Sequence, residues 1–284
     1  MSAESPRVWL PADDHVHSQF SYDTGASASM RDACERAVAL GLPSIAFTEH
    51  VELLEPGPGD ALGSPPLAAV TVDYGERVAP LDVDGYLASI DECRQRYPSL
   101  RVLSGIEAGQ PQLVAASLSA LLEGGRFDRV LGSCHALVHD GRLVEAPTLY
   151  QLMPAQDAVR RYFAEVLAVV EGSADFQVLA HVDFIGRYLP RAEGRYEDAA
   201  YEEEYRVVFR ALARSGRALE LNTKSRLASV AQLRWWYEEG GAAVSFGSDA
   251  HVPWVVGDGF TAAVAMTEAA GFRPGRHPYD WWRR

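Results

Sequence analysis

A chain of 284 residues, 48% hydrophobic and 23% charged, is long enough to bury a large core and too apolar to be disordered throughout. A net charge of -13 repels a phosphate backbone and argues against a nucleic-acid partner. Cys34, Cys93 and Cys134 lack paired spacing, the first residues lack an apolar signal core, and no run is long enough to cross a bilayer. These features predict a cytoplasmic protein with reduced thiols and no membrane partner.

Taken in order, the apolar run Val8, Trp9, Leu10 leads to Asp13-Asp14-His15-Val16-His17. Side chains of an extended strand alternate, so His15 and His17 point the same way and can reach one metal ion. Ser27 or Ser29 can cap a helix with Met30, Ala33, Ala37, Val38 and Leu40 on its apolar face, ended by Gly41. Residues 43–47 read as a buried strand with Thr48-Glu49-His50 at its exit. Residues 53–82, rich in Gly and Pro, read as a long loop with the character of a lid. A helix is expected from Asp84 to Tyr97, a strand over 101–107 ending at Glu107, and a helix from Pro111 to Leu122. A strand over 127–132 leads to Ser133-Cys134-His135, and a helix spans 154–170. A strand over 176–180 ends at His181. A helix spans 199–214, with Glu202-Glu203-Glu204 on a solvated face. A strand over 217–221 ends at Asn222, and a helix spans 229–237. A strand over 242–246 leads to Ser248-Asp249-Ala250-His251, and a last helix follows Gly259.

Strand and helix alternate about seven times, which predicts parallel strands with right-handed crossovers in one α/β domain over 1–284. The first strand lacks a Gly-rich phosphate loop, so a closed or distorted barrel is favoured over an open doubly wound sheet. Six of eight histidines (His15, His17, His50, His135, His181, His251) follow predicted strand ends, as do Glu107 and Asp249. His139 and His277 do not. In a parallel barrel those ends open onto one face, where distant residues meet. Imidazole with carboxylate suits Zn, Fe or Mn, and the candidates are too many for one tetrahedral ion, so two or three ions fit better.

This set resembles the polymerase and histidinol phosphatase (PHP) superfamily across nearly the whole chain. The matching segments are His15-Val16-His17-Ser18 with Asp23, Ala46 to His50, Ser104 to Glu107, Gly132 to His135, Ala180 to Asp183, and Gly247 to His251. The resemblance implies a distorted (β/α)7, TIM-barrel-like fold with a multinuclear centre in which Glu107, His135 and Asp249 are catalytic. It implies three groups of ligands: His15, His17, Glu107 and Asp249; Glu107, His135 and His181; Asp23, His50 and His251. In Asp23 a loop-capping role competes with ligation. Asp13 serves either to orient His15 or to shape its turn.

Metal-bridged hydroxide attacks carbonyl or phosphoryl centres, and phosphate esters need cations on their free oxygens. Arg187 and Arg226 follow the fifth and sixth strands and are candidate phosphate ligands. Asp91 to Arg94 with Tyr97-Pro98, and Asp183 to Tyr188, resemble the histidinol-phosphate phosphatase branch. That branch carries Ser-Gly between Asn-Thr and its arginine, where this chain has Lys224-Ser225. The expectation is hydrolysis of a small phosphorylated metabolite, L-histidinol phosphate foremost, with a nucleotide or other small ester as the alternative. A metal-stabilised scaffold without turnover is the reading from another class. The acid that protonates the leaving alcohol is unassigned; His139 is a candidate, with a surface role competing.

Overall fold

The computed structural model describes residues 10–73, 78–123, 126–225 and 228–284. Val8 and Trp9 lie outside the described residues, as does Arg226. The strands are β1 (Asp13–Val16), β2 (Ser44–Val51), β3 (Thr71–Val72), β4 (Arg101–Gly109), β5 (Arg129–Ser133), β6 (Ala136–His139), β7 (Arg142–Glu145), β8 (Val178–Leu179), β9 (Ala218–Asn222), β10 (Ala243–Gly247) and β11 (Trp282–Arg283). The helices are α1 (Met30–Leu40), α2 (Val83–Arg96), α3 (Ala115–Leu122), α4 (Leu149–Leu152), α5 (Ala155–Gly172), α6 (Glu202–Ser215), α7 (Val230–Glu238) and α8 (Phe260–Ala269).

The main sheet has the order β1-β2-β4-β5-β8-β9-β10-β11, parallel except for β11, which runs antiparallel to β10. It curls until its ends meet. Val16 bridges Ala250, His17 N–H donates to Ala250 O at 2.8 Å, and Asp249 N–H donates to His15 O at 2.7 Å. This is the distorted barrel of seven parallel strands that the alternation predicts. The strands are covered on both faces, so that even their polar residues are buried almost throughout. Outside them, α5 packs on α6 through Phe163 and Tyr205 (4.6 Å between centroids), and buried Trp236 of α7 donates its Nε1–H to Ala243 O.

Register carries function directly. Pairing of β2 with β4 places His50 opposite Glu107, and pairing of β9 with β10 places Asn222 opposite Gly247. Local chemistry sets the helix starts: Ser29 accepts from Asp32 N–H, Asp82 from Gly85 N–H, and Ser229 from Gln232 N–H.

Several boundaries differ from expectation. The helix expected from Pro111 starts at Ala115, because residues 110–114 make tight turns (Leu113 N–H to Gln110 O) beneath the second sheet. The fifth strand is only Val178–Leu179, and Phe176 before it packs under the Arg217 guanidinium at 4.0 Å. In α1 Val38 is exposed and Cys34 takes the buried position. The three cysteines are free and buried.

A second sheet, β3-β7-β6, interrupts the alternation. It joins the β6–β7 hairpin to β3 from within the 53–82 segment. Leu62, Leu113, Val114, Ala136 and Leu143 form its own apolar cluster. Leu62 and Asp60 anchor the described part of 53–82, none of which lines the metal-face cleft; residues 74–77 lie outside the described residues. No helix among the described residues is long and apolar enough to cross a membrane.

Candidate metal centre

At the carboxyl ends of the parallel strands, six histidines and three carboxylates converge. His15 Nε2 and His17 Nε2 face each other at 3.0 Å. Glu107 Oε2 lies 3.2 and 3.4 Å from these two atoms, and Asp249 Oδ1 lies 3.9 and 3.6 Å from them. The other Glu107 oxygen, Oε1, is 2.6 Å from His181 Nε2 and 3.1 Å from His135 Nε2. Asp23 Oδ2 is 3.0 Å from His251 Nε2 and 3.4 Å from His50 Nε2. The geometry therefore brings together the nine residues singled out in the sequence, though the atoms close enough to share one ion group differently: His17, His50 and His251; His15, His17 and Asp249; His15, Glu107 and His181; and His50 and His135 with Glu52. Arg187 joins them, its Nη1–H donating to Asp249 Oδ2 at 2.9 Å.

The donor set fits divalent ions. Ligands about 2.1 Å from a tetrahedral ion lie about 3.4 Å apart, close to most of these separations. Two imidazole nitrogens 3.0 Å apart between two carboxylates form a donor set that suits a divalent cation. Glu107 is fully buried, whereas Asp23 is 35% exposed and His251 24%, so these two residues form the solvent edge.

Burial and charge oppose each other at every group here but His17. Burial would lower the pKa of His15, but Glu220, Glu107 and Asp249 pull it well above its usual value. Burial likewise opposes the rise of His50 to about 10 and His135 to about 9, each drawn up chiefly by Glu107. His17 is pushed well below, first by burial and then by the charges of His50 and His251. Burial would raise Glu107, yet the surrounding imidazoles hold it well below the carboxylate range.

The outer groups were mostly missed in the sequence. Glu220 Oε1 accepts from His15 Nδ1 at 2.6 Å, and its Oε2 accepts from His181 N–H at 2.7 Å. Glu52 Oε1 takes His135 Nδ1 at 2.7 Å, and Glu52 is close enough to His50 and His135 to share an ion. His17 Nδ1 meets Ser21 Oγ at 3.0 Å, and Ser21 donates to the buried Glu49. Two glycines make the acids possible. A Cβ on Gly247 would overlap Glu220 Oε1 and crowd His15, and one on Gly109 would overlap the Glu52 carboxylate. Asp249 adopts a left-handed backbone (φ 51°), which turns its carboxylate into the cleft.

Asp13 does not orient the His15 ring. Its carboxylate accepts from Ser248 N–H (2.9 Å) and Gly257 N–H (3.0 Å), and its shortest link to His15 is to the backbone N–H, at 3.5 Å. It ties β1 to the loop after β10, and burial raises its pKa to about 6. His139 does not line the cleft, and its ring lies nearest Asp140, at 3.6 Å. His277 stacks on Tyr279 near the carboxyl terminus.

The cleft has a volume of about 430 Å³. Tyr22, Glu145, Pro147, Phe184, Arg187, Tyr188 and Lys224 line it together with the ligands, and the Phe184 ring packs against His135 and His181 at 5.3 and 5.2 Å. Arg187 Nε and Nη2 are buried without a partner among the described residues. Lys224 Nζ lies 3.0 Å from Asp249 Oδ1 and 3.1 Å from His251 Nδ1. The residue that departs from the branch pattern thus stands beside two candidate ligands.

A family model described as the PHP domain matches residues 13–224. The chain is 27% identical over 268 residues to a probable histidinol-phosphatase of Clostridium acetobutylicum, covering 92% of this chain and 94% of that one. It is 25% identical over 249 residues to the histidinol-phosphatase of Lactococcus lactis, covering 84% of each. Its fold is similar to the crystal structure of the L. lactis histidinol phosphate phosphatase in complex with zinc, L-histidinol and phosphate. That match has a TM-score of 0.76 at 24% identity and covers 93% of this chain and 95% of the other.

Proposed function

The chain belongs to the PHP domain family, and on that premise we propose that it hydrolyses L-histidinol phosphate to L-histidinol and phosphate, a step of histidine biosynthesis. The observation that carries this reading is the meeting of nine metal-ligand residues and a half-satisfied arginine around one small cleft. Relatives that align over nearly their full length are named histidinol-phosphatases.

Two or three divalent ions, drawn from zinc, iron and manganese, would be held by the groups that the family resemblance implies. His15, His17, Glu107 and Asp249 form the first, Glu107, His135 and His181 the second, and Asp23, His50 and His251 the third. When bound, such ions supply Lewis acidity and lower the pKa of water toward 7. The chain's own residues do the rest. Glu107 spans two groups and fixes their spacing. The free edge of Arg187 is placed to grip phosphate oxygens by paired N–H donors. Phe184, Tyr22 and Tyr188 offer ring surfaces, and Glu145 a carboxylate, to a leaving alcohol that bears a ring and an ammonium group. The enzyme would work in the cytoplasm on a small phosphorylated metabolite, without nucleic-acid or membrane partners.

Lys224 favours a second reading, a nucleotide or other small monoester, because its added charge suits a more anionic substrate. Phosphate release by purified, metal-loaded protein separates the two. Histidinol phosphate should exceed mononucleotides in kcat/KM by about a hundredfold or more, the discrimination expected when buried polar groups are matched to one alcohol. Equal or better turnover of a mononucleotide would replace the first reading with the second.

Glu220→Gln tests the support beneath the ligands. It keeps the shape but weakens the 2.6 Å contact to His15 Nδ1. Metal affinity should fall by about 10- to 100-fold with little change in the unloaded fold. Competition with a chelator reads the change; unaltered affinity would assign Glu220 a purely structural role.

A further inference from the structure

At the opposite, amino end of the barrel a second cavity of about 450 Å³ is rimmed by Arg101, Arg129, Arg276 and Arg283. Arg101 and Arg129 open β4 and β5, whose far ends carry Glu107 and lead to His135. Six residues of strand separate Arg101 from Glu107, roughly 20 Å at about 3.3 Å per residue. The cavity is therefore remote from the metal face.

Its walls are fixed. Arg273 and Arg283 exchange backbone hydrogen bonds (2.7 and 2.8 Å), and Trp282 packs on Phe246 at 5.3 Å. Arg101 lies over the Tyr279 ring at 4.4 Å and Arg129 over Trp281 at 4.6 Å. A ring against the face of a guanidinium leaves its N–H edge free to donate in plane.

The charge there is unbalanced. Arg129 pairs with Asp14 at 3.1 Å, while its Nε is buried without a partner among the described residues. Arg101, Arg276 and Arg283 make no ion pair among the described residues. The one carboxylate in the rim, Asp280, is engaged by His277 N–H at 2.8 Å. In a chain of net charge -13, four guanidiniums around one cavity concentrate positive potential locally. The net negative charge selects a small anion over a polymer, and the volume lies within the range of metabolite sites.

We propose that this cavity binds a small multivalent anion, a metabolite carrying two or more phosphate or carboxylate groups. Isothermal titration of the metal-loaded protein with inorganic pyrophosphate and with citrate tests it. The expected result is a saturable event with at least one of them, weakened about tenfold or more in Arg101→Ala/Arg276→Ala, as loss of two charge-assisted contacts requires. Turnover by that variant should be unchanged. Arg187→Ala should retain the event, which separates it from anion capture at the metal face. Preference for pyrophosphate or for citrate assigns the phosphate or the carboxylate source. Should the double variant fail to fold, Arg276→Ala alone, on an exposed turn, makes the same comparison. Isotherms identical between wild type and the arginine variants for both anions would overturn the proposal.

Discussion

Glu107→Gln is expected to lower bound metal and phosphatase turnover together, the latter by about a thousandfold or more. Glu107 touches more of the centre than any other described side chain. Oε1 reaches His135 and His181 and accepts from Ser133 Oγ at 2.6 Å, while Oε2 lies within 3.4 Å of His15, His17 and His50. It is fully buried, so water cannot replace the lost charge. Breaking a buried charge contact by altering one partner costs about 3–5 kcal/mol, or about two to four decades in affinity. Here two ligand groups share the carboxylate, so both ions weaken. The loaded protein should also melt earlier, because an ion at a hundred times its Kd adds about 2.7 kcal/mol that the variant no longer receives. Elemental analysis, steady-state kinetics and thermal melting with added metal read the three effects. A variant with normal turnover after metal depletion would falsify the assignment of the centre.

The site was more legible in the sequence than its supports, for a physical reason. Ligands of a parallel barrel sit just past strand ends, so His15, His50, Glu107, His135, His181 and Asp249 are marked by the apolar runs before them. Glu220 carries no such mark. It lies inside β9 and reads as an ordinary charge until the curled sheet sets it beneath His15. Glu52 could have been found. His50-Val51-Glu52 has the same two-residue spacing as His15-Val16-His17, and Glu52, one residue past the end of β2, comes within reach of the same ion as His50. Of the two roles open to Asp13, the structural one holds. Next-but-one residues on a strand share a face, yet its carboxylate is taken by two backbone donors from the Ser248–Gly257 loop, which no local pattern reveals. The second sheet was hidden because β3 has two residues and pairs with β7 across a long interval of sequence. Gly and Pro content correctly marked an irregular path there, but composition does not say what an irregular path packs against.

Arg187→Ala should lower kcat/KM for histidinol phosphate by about 10²–10³ while leaving the metal content intact. One edge of the guanidinium is held by Asp249, and Phe184 lies beneath it at 5.4 Å. The remaining Nε and Nη2 are buried, and among the described residues nothing accepts from them. Leaving such donors unmatched costs about 1–3 kcal/mol, a cost recovered when phosphate oxygens arrive. Removing a preorganised donor from developing charge typically costs about 2.7–4 kcal/mol, which sets the expected loss. Asp249 keeps Asn222 Nδ2 at 3.3 Å and Lys224 Nζ at 3.0 Å in the variant, so its carboxylate stays oriented for metal. Arg187→Lys should recover little, because an ammonium restores charge without the planar fork. Inhibition by product phosphate should weaken in parallel, since ester and product share the same oxygens. A variant that retains its metal, its kcat/KM and its phosphate inhibition would leave the phosphate to Lys224 and the ions, and would remove Arg187 from the reaction.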